Sequence, residues 1–194
     1  MADPHLPENA ALDELPGART EEPQISRLFP RARTSVPVGR TASESNVKRL
    51  SPGQSILHFA VRGLIYDDRS WESALLLSDG DGESGWLKVS EAFGLDLHAA
   101  LTVLSGCSTG LGKLSGDGII GLTRAFLYAG MTSPGVSRWG VSDRVTTYLM
   151  ERLYEGLGRR LNKAQALRAA ERATFRRVRH LALWAAFELV GEAR

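Results

Sequence analysis

Ile56-Leu57-His58-Phe59-Ala60-Val61, set between Pro52-Gly53 and Gly63, and Leu101-Thr102-Val103-Leu104, ended by Ser105-Gly106, decide the fold class. Both are short apolar runs bounded by turn residues. Neither shows the strict alternation of a strand with one wet face, so both read as parallel strands covered by helices on two sides. Ala74-Leu75-Leu76-Leu77, running into Ser78-Asp79-Gly80-Asp81-Gly82, predicts a shorter strand that enters an exposed turn.

Around these strands the spacing turns helical. Ile119, Leu122 and Phe126 share one face, and Ala129-Gly130 supplies the stop. Ser142 is placed to cap a helix carrying Val145, Leu149 and Leu153, and Lys163 to Val178 forms another with Leu167, Ala170 and Thr174. Shorter helices are expected over Glu21 to Leu28 and over Ser43 to Leu50, with Ser43 as N-cap. Strands alternating with helices make an α/β sandwich the leading class. Residues 1–19, with three prolines and no sustained periodicity, read as an extended lead-in to a domain over 20–191.

The 194 residues suit one α/β core with extensions, and 43% hydrophobic with 24% charged residues excludes a disordered or disulfide-scaffold chain. A net charge of +2 leaves no dedicated nucleic-acid surface. Residues 151–194 carry ten basic and five acidic groups, which the helical spacing assigns to a solvated face. No apolar stretch reaches the length of a spanning helix, so neither secretion nor a membrane is expected. Cys107 is the one cysteine, which excludes an intrachain disulfide and makes a reducing cytoplasm the natural compartment.

Two glycine-rich loops invite a nucleotide reading. Gly106-Cys107-Ser108-Thr109-Gly110-Leu111-Gly112-Lys113 has five residues before Gly-Lys where a Walker loop has four, and Leu114 follows where Ser or Thr would hold magnesium. Gly116-Asp117-Gly118-Ile119-Ile120-Gly121 matches the dinucleotide fingerprint. However, no strand immediately precedes it, and Asp117 would set a carboxylate against a pyrophosphate. A nucleotide-binding α/β module is therefore the weaker alternative.

Cys107 lies just past a buried strand, among Ser105, Gly106, Ser108 and Gly110, where a parallel sheet presents functional groups and small residues leave room for a substrate backbone. The strand through Val61 ends at Gly63, 45 residues from Arg62 to the thiol. Caspase-type peptidases place their histidine about 50 residues upstream of the cysteine.

Five ordered blocks carry a closer resemblance: His58 to Gly63, Leu104 to Gly110, Gly116 to Leu122, Ala125 to Gly130, and Trp184-Ala185-Ala186-Phe187. From about Asp3 to Gly191 the chain resembles the CHAT domain, a family of caspase-like modules commonly found downstream of tetratricopeptide repeats in bacterial proteins. The resemblance implies a three-layer sandwich with a mostly parallel central sheet flanked by helices. It implies a Cys-His dyad, with Cys107 as nucleophile and the residue at position 62 as general base. The backbone N–H groups of Gly63 and Cys107 would be the oxyanion donors. The implied reaction is cysteine-dependent hydrolysis of a protein or peptide, with no cofactor or metal and with a tetratricopeptide-repeat region as a partner. The chain also starts where the family would be finishing an earlier strand, which implies a truncated start.

The sequence departs from the family where the dyad needs its base, because Arg62 occupies the histidine's position. A guanidinium keeps its proton at neutral pH and cannot take one from a thiol and return it to an amine. His58, four residues back at ~3.3 Å each, lies ~13 Å from that position and reads as a structural strand residue. Pro134 falls inside an expected central strand, and Arg138 sets a charge where a buried leucine is expected. The expected function is that of a degenerate peptidase acting as a peptide- or protein-binding module. An active endopeptidase using Cys107 with an unconventional base is the alternative.

Overall fold

A computed structural model describes residues 1–6, 16–66, 68–106 and 116–193. The backbone is built on a four-stranded sheet in the order β3 (Ile56–Phe59), β7 (Leu101–Leu104), β8 (Pro134–Ser137), β9 (Phe187–Leu189). β3, β7 and β8 run parallel, and β9 returns antiparallel to β8. All four residues of β7 are buried, as a strand between two helical layers requires.

Two apolar clusters lie against opposite sides of this sheet. Leu57, Phe59, Leu104 and Val136 point to one that contains Leu122, Ala125 and Phe126 of α4 (Gly116–Tyr128) and Ala92 of α3 (Val89–Ala92). Leu101, Val103 and Phe187 point to the other, with Leu149, Leu153 and Tyr154 of α5 (Asp143–Gly158) and Ala166 and Ala170 of α6 (Lys163–Arg177). Successive strand residues feed opposite clusters because strand side chains alternate. Small alanines at 166 and 170 let α6 pack closely on α5. Asn162 caps α6 by accepting from Gln165 N at 2.8 Å, and the Gln165 side chain accepts in turn from Asn162 N.

Ala2–Pro4 of the expected lead-in forms a short strand, β1. It pairs in parallel with β2 (Val38–Gly39) and bridges Ala60 beyond the end of β3, so the start of the chain lies within the pairing rather than outside it. Behind it, α1 (Pro16–Ser26) begins five residues before the expected Glu21. Proline suits a first helical turn, whose N–H has no helical partner. Gly17 allows the approach to α5, since a Cβ there would fall 2.4 Å from the Cβ of Asp143.

α2 (Glu44–Leu50) forms as expected, with the Ser43 side chain accepting from Asn46 N. The strand over Ala74–Leu76, β5, lies in a separate antiparallel sheet between β4 (Gly63–Leu64) and β6 (Trp86–Lys88).

Pro134 lies in the central strand β8 as expected, whereas Arg138 sits differently from expectation. Pro134 is the first residue of β8, where a missing N–H interrupts little; Thr102 N bonds to Ser133 O and Val190 N to Pro134 O on either side. Arg138 follows the last residue of β8 and is exposed, its guanidinium 3.5 Å from the Glu188 carboxylate, so no buried charge arises. Among the described residues no helix is long and apolar enough to cross a membrane.

Candidate functional site

The ends of β3 and β7 are brought into backbone contact. Ser105 N donates to Phe59 O at 3.0 Å, which carries the parallel ladder one step past β7. At Gly106 the chains touch: an added Cβ would lie 2.5 Å from Val61 O and 2.6 Å from Val61 N. Arg62 follows Val61 in the bend between β3 and β4, half-buried, and its carbonyl accepts from Leu76 N at 2.8 Å. Gly63 is buried at the start of β4. Cys107 lies outside the described residues, so the separation of thiol and guanidinium is not part of this geometry.

Beneath these strand ends lies a polar cluster that spacing did not show. His58 Nδ1 is 2.9 Å from the Tyr154 hydroxyl, and its Nε2 is 2.8 Å from Glu21 Oε1 and 3.1 Å from Ser105 Oγ. Four elements therefore meet on one imidazole: α1 through Glu21, α5 through Tyr154, β3 through His58, and the end of β7 through Ser105. Glu21 is 3% exposed, with its Oε1 against the imidazole, and its charge also acts on the buried Met1 ammonium. Burial raises the Tyr154 phenol well above its ordinary range, and the Glu21 charge pushes the same way, so the hydroxyl keeps its proton. Glu21 and Ser105 share one ring nitrogen. The cluster therefore ties helices to strands rather than lining up as a hydrolytic triad, in which orienting acid and nucleophile occupy opposite nitrogens.

The cost of losing the imidazole follows from what it leaves behind. His58→Ala takes from a buried carboxylate its nearest polar side chain, a change worth about 3 kcal/mol, whereas Tyr154→Phe removes one hydrogen bond for about 1 kcal/mol. Urea unfolding should show the first variant losing several times more stability than the second. Equal small losses would show that Glu21 is solvated in solution.

A cleft of about 740 Å³ opens beside the same histidine, between the segment through Arg33 to Pro37 and residues Ile56 to Phe59 of β3. Tyr154, Phe29 and Ile25 form its apolar wall. Arg62, Gly63 and Gly106 do not line it.

His58 was legible as a strand residue. Its partners were not, because Glu21, Ser105 and Tyr154 are brought to it from 37, 47 and 96 positions away. A Glu in an amphipathic helix and a Tyr in a leucine-rich one carry no local signal of pairing.

Comparison with known proteins adds the family. The chain is similar to tetratricopeptide repeat protein 28 of Homo sapiens, 32% identical over 107 residues, and to the same protein of Mus musculus, 30% identical over 107 residues. Each alignment covers 54% of this chain and 4% of the relative, so the chain matches a small part of much longer proteins. The family model for the CHAT domain matches residues 1–192, which takes in β1 as well as every later element. With an α/β sheet of mostly parallel strands and an end-to-end match, the chain belongs to the CHAT domain family.

Proposed function

We propose that this CHAT domain is a degenerate cysteine-peptidase module that binds a peptide or protein and turns it over weakly or not at all. The observation supporting this reading is the backbone contact of Val61 with Gly106, the residues that precede Arg62 and Cys107 in the chain. In that arrangement Cys107 occupies the nucleophile's place and Arg62 the base's. The N–H groups of Gly63 and Cys107 are the oxyanion donors. Arg62 supplies a positive charge and hydrogen-bond donors but no proton acceptor, so it favours thiolate without being able to return a proton to a departing amine. The helices on both sheet faces support a caspase-like three-layer arrangement. We draw the module over residues 20–191, with β1 adding a strand ahead of it.

The similarity to tetratricopeptide repeat protein 28 supports a tetratricopeptide-repeat region as a partner of this module. A lone cysteine supports a reducing, cytoplasmic setting.

Two measurements test the reading. Incubation with a peptide library should release no product beyond that of Cys107→Ala; turnover abolished by that substitution would show an active peptidase. Separately, iodoacetamide should alkylate Cys107 fast at neutral pH and more slowly in Arg62→Ala, because the guanidinium favours thiolate. An unchanged pH profile would remove Arg62 from the thiol's surroundings.

A further inference from the structure

α6 carries five basic residues and one acid, Glu171. Two of the five are engaged. Lys163 is buried and donates to Ser133 Oγ at 2.7 Å and to Ala100 O at 3.2 Å, and the Arg177 guanidinium lies 4.7 Å from the centre of the Tyr148 ring. The other three, Arg168, Arg172 and Arg176, are exposed and fall at four-residue spacing, which sets them in one line along the outer face of the helix. Among the described residues no carboxylate forms a salt bridge with any of them. Beside this line the surface is apolar. Phe175 is 44% exposed and meets Trp184 of α7 (Leu181–Trp184) edge to face, with ring centroids 5.4 Å apart. Leu181, one turn before Trp184, is 62% exposed.

Helix energetics alone do not account for the line. The negative end of the helix dipole favours cations in the last turn, which covers Arg176 and Arg177 but not Arg168 and Arg172. Like charges four residues apart repel, so the three arginines weaken the helix unless something negative faces them. The opposite face, through Ala166, Ala170 and Thr174, is buried.

We infer that the Arg168–Arg172–Arg176 line, with Phe175 and Leu181, is a docking surface for an acidic helix of a partner protein. Charge complementarity selects that occupant. Eight residues at about 1.5 Å each put the outer two arginines about 12 Å apart along the axis, a span that a second helix matches with carboxylates at the same four-residue spacing. Each guanidinium presents a planar fork that takes a carboxylate through two hydrogen bonds. Apolar side chains beside those carboxylates would cover Phe175 and Leu181, and arginine with aromatic residues is the composition that protein interfaces favour. A membrane fits less well, because the buried face leaves α6 no apolar side to insert. A nucleic acid also fits less well, since a chain of net charge +2 draws a polyanion weakly and the exposed Leu181 gains nothing from phosphate. This surface is independent of the peptidase reading and lies on other elements.

The test is fluorescence anisotropy of a labelled synthetic helix of about 15 residues, with three glutamates at four-residue spacing and leucines beside them, titrated with the unaltered chain. The helix should bind, and the same peptide with serine in place of leucine should bind about tenfold more weakly or worse. The double variant Arg172→Glu, Arg176→Glu should lose about tenfold or more in affinity for the acidic helix and gain affinity for its counterpart with lysine in place of glutamate. Circular dichroism checks that the variant is folded, and the peptide comparison on the unaltered chain stands without it. Absence of binding by the acidic helix overturns the surface. So does equal binding of the serine peptide, which would reduce the effect to diffuse attraction, or unchanged affinity in the folded double variant. Tighter binding of the unaltered chain to oligothymidylate or to phosphatidylserine vesicles than to the helix would assign the arginines to phosphate and overturn it as well.

Discussion

Arg62→His should give the chain a Cys107-dependent hydrolytic activity about 10²–10⁴-fold above that of the parent, the range general acid–base assistance typically supplies. The expectation rests on two links. Gly106 packs on the backbone of Val61, so the residues after them start from adjacent points. An imidazole of ordinary pKa near 6.5 can also take a proton from a thiol and return it to an amine at neutral pH, which a guanidinium cannot. The assay is hydrolysis of a mixed peptide library by Arg62→His and by the double variant Arg62→His, Cys107→Ala. Product that forms with the first and not the second supports position 62 as the vacated base position. Product formed equally by both would place the chemistry elsewhere. The departures at Pro134 and Arg138 do not stand in the way, because one starts its strand and the other faces solvent.

That outcome for Pro134 and Arg138 shows where sequence reasoning reached and where it stopped. Leu101–Leu104 was legible because a strand buried on both faces leaves an uninterrupted apolar run, and α2 because Ser43 caps it with its own side chain. Whether Arg138 was buried depended on where β8 ends, a matter of one residue that no local pattern fixes. The start of α1 was hidden for a similar reason. Pro16-Gly17 reads as a breaker, yet Gly17 is there because α5 approaches too closely for a side chain, and that neighbour arrives from residue 143. The site divides in the same way. The positions of Arg62 and Cys107 were assigned from ordered motifs along the chain. The Glu21–His58–Tyr154 cluster exists only once distant elements have packed.

Gly106→Ala should lower stability by about 2–3 kcal/mol, in the range of overpacked core positions, although it adds only one methyl group. The reason is what that methyl meets. Its nearest neighbours would be Val61 O at 2.5 Å, Val61 N at 2.6 Å and Val61 C at 2.8 Å, all backbone atoms that cannot rotate away. The strand ends must move apart by much of an ångström, and the Ser105 N to Phe59 O bond and the Ser105 to His58 contact lie next to the displacement. Gly158, at the end of α5, supplies the control: an added Cβ there has nothing within 4 Å, so Gly158→Ala should be neutral or stabilise by up to about 1 kcal/mol through helix propensity. Urea unfolding of the two alanine variants measures the contrast directly. Placed in the Arg62→His background, Gly106→Ala should also abolish the gained hydrolysis, because it separates base and nucleophile even in the fraction that folds. A Gly106→Ala chain as stable as its parent would show that the ends of β3 and β7 stand apart in solution, and the pairing of Arg62 with Cys107 would fall with that contact.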